Sequence, residues 1–173
     1  MEFSDKLNSI HACSEAVTWV GNRGLMTAWR DCPRGDWMLW LAARSGVEHK
    51  LLVLAACDCA ETALKYVPKG ANRPAKCIQV TRDWCAGKAT LDDVRKARRD
   101  AADAAYAAYA YAAYAAAADA AYADAAYAAY AAAYAYAANA AADAAAYADA
   151  RRGMHKICAD LVRKRISVSL IKL

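Results

Sequence analysis

The chain has 173 residues, enough for one domain with a real core. Its net charge is +5 and 60% of its residues are hydrophobic, but much of that share is alanine, which buries little area per residue. The opening MEFSDKLNSI has neither a basic n-region nor an apolar h-region, and no charge-free stretch of about 18 strongly apolar residues occurs, which argues against a secreted or membrane-spanning protein.

Charge is unevenly placed. Residues 100–150 carry six Asp and no base, whereas 151–173 carry seven bases against one acid. A neutral-to-acidic middle is therefore bracketed by ArgLysAlaArgArg (95–99) and by ArgArg (151–152) with ArgLysArg (163–165). Such an arrangement matches helix dipoles or attracts an anionic partner. Seven cysteines, an odd number, point to reduced thiols and a cytoplasmic location rather than a disulfide framework.

In chain order, Phe3, Leu7, Ile10, Ser14 and Val17 fall on one helical face, which predicts a helix capped by Ser4 and ended by Gly21. A short helix over 22–32 is stopped by Pro33. Residues 34–43 read as a turn, an N-cap at Asp36 and a short apolar helix ending at Gly46. A buried helix spans 48–67, with Leu51, Leu52, Leu54, Ala55, Cys59, Ala63 and Leu64 inward. Pro74 opens the next helix, which runs to Cys85 and stops at Gly87. ThrLeuAspAsp (90–93) has the form of a capping box and starts a helix at Leu91. Met154, Ile157, Cys158, Leu161 and Val162 form a last helical face. No strand is expected.

Residues 101–150 use only Ala, Tyr, Asp and one Asn. Alanine has the highest helix propensity, so the segment reads as ordered helix. One unbroken helix over 91–152 would be roughly 90 Å long, which favours a fold-back. Asp100, Asp119 and Asn139 are candidate N-caps for antiparallel helices. Tyr109, Tyr127, Tyr130 and Tyr134 share one side of a helix; Tyr111, Tyr114, Tyr122, Tyr136 and Tyr147 lie nearly opposite. Two tyrosine faces suggest neighbours on two sides, as in a layered bundle or an oligomer, with a dimer the simplest case. The predicted fold is all-α: one helical domain over 1–173, with a Trp/Leu-rich half (1–88) and an Ala/Tyr-rich antiparallel layer plus a basic C-terminal helix (89–173).

Chemistry-bearing motifs are few. Cys57 and Cys59 lie about 200° apart on a helix and cannot face one ion. Asp58 and Glu61, one turn apart, suit either acid–base work or pairing with a nearby Arg. No phosphate loop or nucleophile motif is present, so no catalytic residue, metal or cofactor is expected. Five tryptophans (19, 29, 37, 40 and 84) lie near Arg23, Arg30, Arg34, Arg44 and Arg82 in sequence. They either build the core that alanine cannot, or line an aromatic–basic pocket suited to a nucleotide or a protein hot spot. The candidate binding residues are Arg30, Arg34, Asp36, Trp37, Trp40, Asp58, Arg82 and Trp84.

The segments TAWRDCPRGDWMLWLAA (27–43), HKLLVLAACDCAETALKYVP (49–68) and CADLVRKRI (158–166), with the Ala/Tyr/Asp run between them, resemble a family of alanine-rich bacterial and phage proteins described as immunity proteins. The resemblance covers nearly the whole chain, and GDWMLWL is its specific part. It implies an all-helical intracellular protein that binds and neutralises a toxin or another antagonist. It supplies no catalytic residues. The ending ISVSLI (166–171) departs from the Pro-Trp pair that relatives tend to carry, which leaves the docking of the tail open. The functional expectation is a non-enzymatic inhibitor of a protein partner, with sequestration of an anionic, nucleotide-like ligand as the alternative.

Overall fold

A computed structural model describes residues 2–67, 69–70, 72–108 and 148–173. Eight α-helices and no strand occur among them. They are α1 (Phe3–Ser9), α2 (Ser14–Val20), α3 (Leu25–Asp31), α4 (Gly35–Arg44), α5 (His49–Glu61), α6 (Arg73–Cys85), α7 (Leu91–Ala108) and α8 (Ala148–Arg165). Two 3-10 turns, Leu64–Tyr66 and Val168–Leu170, follow α5 and α8.

The first predicted helix is two helices. The break carries no Gly or Pro. It rests on His11, which adopts φ 62°. Its N–H donates to Asn8 O at 3.0 Å, and the Ala12 N–H donates to Leu7 O at 2.9 Å. These two bonds form a Schellman motif with His11 in the left-handed position. A side chain there costs about 1 kcal/mol; the cost is offset by turning Leu7 and Ala12 toward the same interior. The Asp36 cap is also corrected. Arg34 is the N-cap of α4, and Asp36 lies inside its first turn, where a carboxylate meets the positive end of the helix dipole.

Other boundaries follow local chemistry. Glu48 caps α5 by accepting from the Lys50 and Leu51 N–H groups at 3.0 and 2.9 Å. Pro74 sits in the first turn of α6 and is buried. The capping box at Thr90 and Asp93 forms reciprocally, with Thr90 N donating to Asp93 at 2.9 Å and Asp93 N to Thr90 Oγ at 3.2 Å. Helix α7 then runs through Asp100 without a break, so Asp100 caps no new helix. Asp119, Asn139, the proposed fold-back and the two tyrosine faces lie outside the described residues.

One apolar cluster joins all eight helices, with Met38, Leu39, Leu52, Val53, Ile78, Val94, Cys158, Val162 and Ile166 among its buried members. Helix α8 packs on both α4 and α5, α5 packs on α6, and α6 carries α7. The α6–α7 contact is made of small residues, Cys77 against Ala97 and Ala101. The tail docks as well: Ile171 is buried, and Lys6 Nζ donates to Leu173 O at 3.0 Å. Val94, predicted only as part of a helix, is fully buried.

The α4–α8 contact depends on Gly35. A Cβ built there would stand 2.7 Å from Cys158 Cβ and 2.8 Å from the Cys158 carbonyl carbon. The space belongs to the backbone of α8, which cannot rotate away as a side chain could. Gly35→Ala is expected to lower the free energy of unfolding by about 1–3 kcal/mol through overpacking. Gly153, inside α8, has open space where a Cβ would go, so Gly153→Ala is expected to raise stability by about 0.5–1 kcal/mol. Urea titration of both variants checks the pair; equal effects would refute the close-approach explanation.

Candidate functional site

A cleft of ≈ 440 Å³ opens among the first four helices, within the size range of small-ligand or anchor-residue pockets. Its apolar wall comes from Phe3 and Leu7 of α1, Trp19 and Val20 of α2, Trp29 of α3, and Trp37, Trp40 and Leu41 of α4. The His11 turn creates this space. A continuous first helix would have kept α1 and α2 in line and left no corner for α4 to close.

Trp19 and Trp37 form a tilted pair, with centroids 6.1 Å apart and planes at 55°. Three of the cleft tryptophans each carry a guanidinium over the ring. Arg34 lies 4.6 Å from the Trp37 centroid, Arg23 5.0 Å from Trp19, and Arg44 5.7 Å from Trp40. Each such contact contributes about 0.5–1 kcal/mol where partly exposed. Arg23 also donates to Val20 O at 3.3 Å, so it closes the C-terminus of α2.

Arg34 is held firmly. Its Nε donates to Asp36 Oδ1 at 2.8 Å, and its Nη2 donates to Asp36 Oδ2. This fork-to-carboxylate bond raises the Arg34 pKa above its usual value. Glu15 stands 4.0 Å away, beyond hydrogen-bond distance. Behind Asp36, buried His155 of α8 brings Nδ1 to 3.7 Å from Asp36 Oδ1. Arg163 of α8 donates to the Trp29 and Cys32 carbonyls at 3.1 and 2.9 Å, closing the end of α3 under the same wall.

Of the eight sequence candidates, the cleft collects four: Arg34, Asp36, Trp37 and Trp40. Arg30 is separate. Its side chain is largely exposed and pairs with its neighbour Asp31 at 2.7 Å. Asp58 and Arg82 belong to a structural clamp. Asp58 accepts from both Nε and Nη2 of Arg165, at 2.9 and 2.7 Å, and from Arg82 at 2.8 Å. Arg82 also reaches Glu61 at 2.8 Å. The carboxylate pair Asp58 and Glu61 is thus spent on arginines that tie α6 and α8 to α5. Trp84 lies elsewhere, edge-on to His49 at 5.8 Å, with Lys50 Nζ 5.9 Å from its ring centroid. Sequence reasoning missed Glu15, Phe3 and Leu7 as cleft residues, and His155 and Arg163 as their supports. The Trp19–Arg23 spacing of four was a local signal; nothing near residue 155 pointed to Asp36.

All seven cysteines are free. Burial pushes the Cys57 and Cys77 thiols up to about 12 and Cys32 to about 11. Cys13 is exposed and lies at the cleft. Among the described residues no group of three or more His, Cys, Asp or Glu is placed to hold a metal ion, and no helix is long and apolar enough to cross a membrane. The arrangement offers shape, aromatic faces and a neutralised ion pair. No protein-family model, curated protein or solved structure matches this chain.

Two outcomes follow from these environments. Cys13 is exposed whereas Cys57 and Cys77 are buried with raised pKa values, so one equivalent of maleimide at neutral pH is expected to label Cys13 and spare Cys57 and Cys77; peptide mass mapping reads the site. His49 Nε2 is buried without a hydrogen-bond partner among the described residues, and burial lowers the His49 pKa below 6.5. The unfolded chain therefore takes the proton first, and stability is lost as pH falls below about 6.5. His49→Gln should flatten that part of the stability curve; an unchanged slope in denaturant titrations across this range would contradict the assignment.

Proposed function

We propose that the protein is a non-enzymatic binding protein of the cytoplasm, an immunity-type or counter-defence inhibitor that neutralises a protein antagonist, with the tryptophan cleft as its recognition pocket. One observation carries this reading: a preformed cleft walled by Trp19, Trp29, Trp37 and Trp40, in which Arg34 is locked over Trp37 by Asp36. Large aromatic residues and arginine, rigidly held around a concave surface, have the composition of a protein–protein hot spot. Seven free cysteines fit a reducing compartment. Self-association, with a dimer as the simplest form, belongs to the same proposal and is read by light scattering.

Sequestration of a nucleotide-like anion is the second reading, favoured by the three arginines stacked on tryptophans. It is the weaker one, because Asp36 already occupies the guanidinium of Arg34 and Glu15 stands beside it. A phosphate would have to displace one carboxylate and approach another.

The test is comparative capture from the source cell. The wild-type protein is expected to retain one antagonist that Trp37→Ala loses, with affinity lowered about 30-fold or more as for a hot-spot residue. Matching melting curves would show that Trp37→Ala is folded. Retention of the same partner by both forms would sink the cleft as the recognition surface. A melting temperature raised by nucleotides, with no partner recovered, would move the assignment to the second reading.

A further inference from the structure

The charges lining the cleft decide among classes of occupant. Two carboxylates, Glu15 and Asp36, face two guanidiniums, Arg34 and Arg44, so the net charge at its wall is zero. An anionic group finds only Nη1 of Arg34, because Asp36 holds Nε and Nη2, and Nη1 has the Glu15 carboxylate 4.0 Å away. A cationic group meets the guanidiniums already stacked on Trp37 and Trp40. A neutral occupant meets neither obstacle, and the aromatic wall favours a ring, since offset or edge-on aromatic contacts add to area burial.

Glu15 adds a polar requirement. Its side chain is 74% exposed and lies 4.0 Å from Arg34. A purely apolar guest that covered this carboxylate would strip water from it and return no hydrogen bond, which is costly. A guest with an O–H or N–H on its ring edge replaces that water.

Resting on the cleft as the recognition pocket, we infer that its occupant is a neutral aromatic side chain bearing a hydrogen-bond donor, a tyrosine or tryptophan of the protein partner, with Glu15 accepting the donor. Trp19, Trp37 and Trp40 supply the walls, and the Arg34–Asp36 pair serves as a fixed, electrically neutral floor. Glu15 confers selectivity rather than bulk affinity.

The experiment titrates the full chain with three small probes: N-acetyl-tyrosinamide, N-acetyl-phenylalaninamide and the phosphorylated tyrosinamide. Binding is followed by NMR on the tryptophan indole N–H signals, with Trp84, outside the cleft, as the internal control. The tyrosine probe is expected to bind about 3- to 10-fold more tightly than the phenylalanine probe, the range of one net hydrogen bond. In Glu15→Ala that ratio falls to about one, because the tyrosine probe loses its acceptor and the phenylalanine probe no longer strips water from a carboxylate; Glu15 is exposed, so the variant keeps its fold. Equal binding of the two neutral probes by the wild-type protein overturns the donor inference and leaves the pocket standing. Tightest binding by the phosphorylated probe overturns it in favour of an anionic guest. Shifts at Trp84 alone, or none at any tryptophan, overturn the pocket itself.

Discussion

Gly35 allows α4 and α8 to touch backbone against side chain with no room for even a methyl group, and the rest of the structure is arranged around that contact. Once α8 is seated there, its next turns fall into reach of three separate elements. His155 meets Asp36 on α4, Arg163 closes the end of α3, and Arg165 grips Asp58 on α5. The burial of Cys158, Ala159, Val162 and Ile166 supplies the apolar part of the same seam. A larger residue at 35 would shift α8 outward, and the Arg163 and Arg165 contacts have the short range of a hydrogen bond.

The clamp on Asp58 and the pair at Asp36 use the same chemistry for different ends. Asp58 receives two arginines from two other helices and is mostly covered, so its charge is matched and its geometry fixed in three directions. Removing it would strand Arg165 and leave Arg82 with Glu61 alone on a half-buried surface, where an uncompensated charge is costly. Asp36 receives Arg34 from its own turn, and the pair faces the cleft. The first arrangement joins helices; the second presents a flat, charge-balanced surface beside tryptophan. That difference, not residue type, separates the carboxylate that joins helices from the one that lines the cleft.

Helix existence and most boundaries were legible in the sequence because they rest on local chemistry. Pro74, the Thr90–Asp93 box, and Gly46 and Gly87 at positive φ act within a few residues of where they stand. The His11 break was hidden because the residue that adopts the left-handed turn is neither Gly nor Asn, and the apolar period continues across it. Asp100 misled in the opposite way: a residue that favours caps sits in mid-helix, where Ala97 and Ala101 of α7 pack against Cys77 of α6 and Val94 joins the main core. Half of the proposed site residues were scattered by the fold because closeness in sequence says little about which face a side chain takes. Arg30 and Arg34 are four residues apart, yet Pro33 and the helix start at Gly35 turn one to solvent and the other onto Trp37.

Among the described residues the cleft is lined entirely by 3–44, with none contributed by α5–α8. Four helices of no more than ten residues would hold such a hollow poorly by themselves, since short helices owe most of their stability to packing. The longer helices behind them supply that packing, and α8 carries the connection through Arg163 and His155. The division is therefore between a small aromatic cleft and a larger, tightly packed support in which Arg82, Arg163 and Arg165 are spent on contacts within the protein. Tryptophan does double duty in that scheme. Trp29 is buried in the wall's foundation, while Trp19, Trp37 and Trp40 are half-buried, each with one side against the core and another at the cleft. Core-building and lining a pocket, which the sequence presented as alternatives, are here two sides of the same rings.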